Sequence, residues 1–65
     1  MNILNTVTYT IYSEAQNAHV ECRRSFIRPR KLTYAGAQRM IRSGADDQIP
    51  SPTANVTRIE TACMR

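Results

Sequence analysis

Apolar and polar positions alternate along the opening of the chain. In "ILNTVTYTIY", Ile3, Val7, Tyr9 and Ile11 fall on one side of a period-two pattern and Thr6, Thr8, Thr10 and Tyr12 on the other, which predicts a strand with one buried face. Threonine suits the pleat because its branched Cβ packs well there, so the second set predicts a face that stays in water or meets a neighbour. The polar run "SEAQNA" follows as a turn, with Asn17 the residue suited to a positive φ. In "HVECRRSFI", Val20 and Cys22 alternate against His19 and Glu21, but Arg24 occupies the place where the inward set should continue. Either a bulge at Arg23 and Arg24 shifts the register, or the strand lies at an edge and Arg24 leans out past the sheet margin. Pro29 cannot donate to a ladder and marks the strand's end or an edge position.

The period then lengthens. "LTYAGAQRMIRSG" predicts a helix with Thr33 as N-cap, Leu32 placed to staple onto Ala37, and Gly44 as terminator. Tyr34, Ala37, Met40 and Ile41 share one face at helical spacing, and Arg39 and Arg42 point elsewhere, to solvent or a partner. Gly36 costs about 1 kcal/mol relative to alanine inside a helix, a cost explicable if it permits close approach to the sheet. "ADDQIPSPT" carries two prolines and two aspartates and predicts a loop. "ANVTRIETACM" is the last strand; Val56 and Ile59 break strict alternation, so a bulge or a twisted edge is expected near Thr57 and Arg58.

Strand, strand, helix, strand predicts a two-layer α+β domain of ββαβ order, with a three-stranded antiparallel sheet in the order 2-1-3 and the helix packed on one face. The central place goes to the first strand, whose pattern is the cleanest. The 65 residues suffice for one small domain, spanning 1–65, without internal repeat or low-complexity tract. A domain of this size has little core to spare for a deep cleft, which favours a binding surface over an enzyme.

Catalytic and metal chemistry find little support in the residues. His19 is the only histidine and reads as an exposed strand residue, and the two cysteines, Cys22 and Cys63, form no CxxC pair. They are expected as buried free thiols of a reducing cytoplasm, with a single bridge as the alternative; the 2-1-3 order sets a strand between them. Asp46 and Asp47 are adjacent but lack further ligands. No phosphate-binding glycine loop is present, so no cofactor is expected. The opening residues show neither a basic leader with an apolar run nor a membrane span.

Charge alters this picture. The net charge is +4, and "RRSFIRPRKL" gathers Arg23, Arg24, Arg28, Arg30 and Lys31 without one acid. On an edge strand and its exit these create a positive margin, suited to a phosphate backbone or an acidic protein groove. Charged side chains also protect an edge from sheet-to-sheet aggregation, but that role seldom needs so many. The candidate partner-binding residues are therefore Arg23, Arg24, Arg28, Arg30 and Lys31, with Arg39 and Arg42 on the helix. Phe26, among them, is expected in the core.

The ββαβ order, the alanine-bearing helix and the final "VTRIET", Val56 to Thr61, resemble small phage proteins that disable host machinery. Type I-F anti-CRISPR proteins come first and phage inhibitors of bacterial RNA polymerase second. The resemblance implies a non-enzymatic inhibitor acting in the host bacterial cytoplasm, one that binds a CRISPR surveillance complex and blocks its access to target DNA. Basic charge points away from DNA mimicry and toward a surface that docks beside nucleic acid or competes with it. A basic module binding DNA or RNA directly is the alternative from the residues themselves.

Overall fold

The computed structural model describes residues 1–64. Strand β1 (Asn2–Ser13) turns through residues 14–17 into β2 (Ala18–Arg28), and α1 (Tyr34–Ser43) then leads by a short 3-10 turn (Ala45–Asp47) to β3 (Asn55–Met64). The sheet has the order β2-β1-β3, with both pairings antiparallel. This is the small α+β arrangement expected from the sequence.

Pairing of β1 with β2 runs unbroken from Ile3 opposite Arg28 to Ser13 opposite Ala18. No bulge interrupts Arg23 and Arg24, so of the two expected outcomes the edge strand is the one formed. Asn17 closes the hairpin at φ 51°, and its side chain accepts a hydrogen bond from the Tyr12 hydroxyl. Against β3 the register shifts once: Thr8 faces Arg58 and Tyr9 faces Val56, leaving Thr57 as the extra residue. The bulge sits where Val56 and Ile59 break alternation, and Thr57 Oγ1 donates to the Thr8 carbonyl at 3.3 Å.

The core lies between α1 and one sheet face. Val7, Tyr9 and Phe26 from the sheet meet Ala37 and Ile41 from the helix and Ala54 from the loop, all buried, with Ile11, Cys22, Leu32, Met40, Val56 and Ile59 packed around them. Phe26 is thus a core residue, as expected. Tyr34 is not: it is 56% exposed. The helix begins at Thr33, whose hydroxyl accepts from the Gly36 N–H at 3.0 Å, and ends at Gly44, φ 77°, whose N–H reaches the Met40 carbonyl. The role expected for Gly36 is corrected by geometry: a Cβ there would lie 3.1 Å from Thr33 Oγ1, so the missing side chain makes room for the cap, not for the sheet. Cys22 and Cys63 are free thiols, but Cys63 is exposed and only Cys22 is half-buried.

Candidate interaction surface

A polar residue stands in the inward set of β1. Asn5 faces the same side as Val7 and Tyr9 and is fully buried. Its Oδ1 accepts from the Leu32 N–H at 3.0 Å, and its Nδ2 donates to the Arg30 and Ile3 carbonyls, each at 3.3 Å. Two of these bonds flank Lys31 in the chain. The connection from β2 to α1 is therefore gripped from beneath, and the grip leaves Arg30 and Lys31 exposed in solvent. Neither makes a salt bridge among the described residues.

The other candidate cations are held differently. Arg28 donates to the Asp46 carboxylate at 2.9 Å and to the Ile27 carbonyl at 2.8 Å, and its guanidinium lies 5.7 Å from the Phe26 ring centre. Arg24 does not lean out past the margin: it is half-buried with its guanidinium 5.6 Å from the Tyr9 ring centre. That contact supplies a cation–π partner for a group whose Nη1 is buried without a hydrogen bond. Burial pushes the Tyr9 phenol above its ordinary range, an effect the Arg24 charge opposes. Arg23 faces the other side of the sheet, in one cross-strand row with Thr8 and Arg58. Thr8 between them is only 5% exposed, although no element among the described residues covers that face.

On α1, Arg39 is exposed, but Arg42 is anchored rather than free for a partner. Arg42 Nε donates to the Ala54 carbonyl at 3.0 Å and Nη2 to Asn55 Oδ1 at 3.4 Å. It belongs to a stripe with Tyr34, whose hydroxyl donates to the Thr57 carbonyl at 3.4 Å, and Gln38, whose Oε1 accepts from the Val56 N–H at 3.3 Å. Spaced four apart, these three point one way from the helix and fasten it to the start of β3. A groove of about 460 Å³ lined by Ala35, Gln38, Arg39, Arg42 and Ser43 runs beside them.

The seven candidate cations thus do not form one patch. Arg28, Arg30 and Lys31 gather at the exit of β2; Arg23 and Arg24 lie on opposite faces farther along the strand; Arg39 and Arg42 flank the helix groove. Reading apolar periodicity alone missed Asn5 and Gln38. A lone amide at an inward strand position was the available signal for Asn5, because a buried amide demands partners.

His19 packs edge-on against Tyr12, ring centres 5.5 Å apart. Among the described residues no three His, Cys, Asp or Glu side chains are grouped to hold a metal ion, and no helix is long and apolar enough to cross a membrane. No family model matches the chain, and neither a curated protein nor a solved structure matches it.

Proposed function

We propose that the protein is a non-enzymatic binding module whose Asn5-held basic turn docks on an acidic surface of a host nucleoprotein complex. The observation that carries this reading is the grip on the Arg30 carbonyl and the Leu32 N–H. It orders a turn with two exposed cations before any partner arrives, so less conformational freedom is lost on binding. Together with the resemblance of "VTRIET" to type I-F anti-CRISPR proteins, it supports a phage-type inhibitor that occupies a CRISPR surveillance complex in the host cytoplasm and excludes target DNA sterically.

Purified surveillance complex, loaded with guide and challenged with labelled target duplex, tests the reading. The protein lowers the fraction of DNA bound, and the Arg30→Glu, Lys31→Glu double variant loses that effect without a change in thermal midpoint. Undiminished DNA binding at saturating protein overturns it. The same assay with purified bacterial RNA polymerase and a promoter separates the polymerase inhibitor from this reading.

Direct binding of nucleic acid is the second reading, favoured by the exposure of Arg30, Lys31 and Arg39 without salt-bridge partners among the described residues. Fluorescence anisotropy on duplex and single-stranded DNA then shows affinity falling steeply with salt as counterions are released. No binding at low salt excludes it.

A further inference from the structure

The two margins of the sheet are finished differently. At β3, the Tyr34, Gln38 and Arg42 side chains already engage the Thr57 carbonyl, the Val56 N–H and the Ala54 carbonyl. At β2, the Arg28 guanidinium on the Ile27 carbonyl is the only side-chain hydrogen bond to the strand's backbone among the described residues. That bond marks the alternation: odd-numbered residues of β2 turn their N–H and C=O groups to the outer edge. From His19 to Ser25 this edge is open, and an open edge is a template for another strand.

The side chains along the edge select the occupant. When a second copy pairs antiparallel about a two-fold axis, each residue faces one on the same side of the sheet, so the residue numbers of every pair share one even sum. Centring the axis on Arg23 or Arg24 sets like cations against each other, and centring it on Glu21 sets two carboxylates together. Centring it on Ser25 brings Pro29, which has no N–H, opposite Glu21. With the axis at Cys22, Glu21 of each copy stands opposite Arg23 of the other, and His19 stands opposite Ser25. Opposite charges directly across an antiparallel pair stabilise it, and like charges destabilise it.

We infer that the protein self-associates through β2, with the two-fold axis at Cys22 and two reciprocal Glu21–Arg23 ion pairs, to form one continuous six-stranded sheet. The paired segment runs from Ala18 to Phe26, so the turns bearing Arg30 and Lys31 lie beyond it at opposite ends. This inference does not rest on the docking role of those turns: dimerisation and partner binding are measured separately.

Sedimentation equilibrium on the full chain, reduced and at moderate salt, reads the association. The expected mass is twice the chain's 7.4 kDa. Glu21→Arg alone and Arg23→Glu alone each weaken the dimer at least tenfold, while the Glu21→Arg, Arg23→Glu double variant restores it, because the swap recreates both pairs. In a Cys63→Ser background a short bis-maleimide joins two chains through Cys22, since residues facing each other at the axis lie close together. Circular dichroism confirms that each variant is folded. A monomer at all concentrations, or a dimer that neither single variant weakens, overturns the proposal; so does failure of the double variant to recover.

Discussion

The buried carboxamide of Asn5 accepts the Leu32 N–H at 3.0 Å across a separation of 27 residues, tying the first strand to the entrance of the helix. Asn5→Ala leaves that N–H and the Arg30 carbonyl without their side-chain partner at a part-buried site. An orphaned buried group costs about 1–3 kcal/mol, so a loss of about 3 kcal/mol is expected. Urea denaturation checks it, and a second readout is the Leu32 amide, whose hydrogen exchange should quicken when its Asn5 acceptor is removed.

Arg42 and Gln38 hold the helix against β3 by hydrogen bonds to backbone. Removing either by alanine is expected to cost about 1 kcal/mol, the usual net worth of such a bond. The larger effect is on solution behaviour. With both removed, the start of β3 becomes an open edge, and light scattering on warming should rise at a lower temperature than for Arg39→Ala, where an exposed side chain is lost.

The two glycines are expected to respond differently to alanine. At Gly44, φ 77°, a Cβ would stand 2.5 Å from the Gln48 carbonyl oxygen, so Gly44→Ala is expected to destabilise by about 2 kcal/mol or more. At Gly36 the added Cβ meets only Thr33 Oγ1, at 3.1 Å. A gain in helix propensity of about 1 kcal/mol there offsets a displaced cap of similar worth, so Gly36→Ala leaves the thermal midpoint nearly unchanged.

Burial raises the Tyr9 phenol above its ordinary value of 10.0. The folded chain then holds the proton more tightly than the unfolded one, so the stabilisation is complete below pH 10 and is lost as pH rises through the folded value. Denaturation midpoints measured from pH 8 upward should fall beyond pH 10, and Tyr9→Phe should flatten the decline that this group causes.

Element order, helix ends and the β3 bulge were legible because each is written in neighbouring residues: threonines alternating with Val7, Tyr9 and Ile11, a Thr33 and Gly44 bracket, and Val56 out of phase with Ile59. What joins distant segments was not legible. The Arg24 side chain folds back because Tyr9 offers a ring across the strand, and Arg42 is occupied because the Ala54 carbonyl lies within reach. Neither partner is near in sequence. Charge counting treated seven cations as equivalent, whereas Arg24, Arg28 and Arg42 are engaged by the fold and Arg30, Lys31 and Arg39 are exposed without a salt bridge among the described residues.

A ten-residue helix rises about 15 Å, while the molecule measures 41 Å along its longest axis. The cover therefore reaches well under half of the ladder's length. Amides of Val7, Tyr9 and Phe26, beneath it, exchange with solvent only when the whole domain opens, whereas those toward Ser13 and Met64 exchange by fraying. Opening is therefore expected to begin at the uncovered ends of the ladder and to reach the covered centre last.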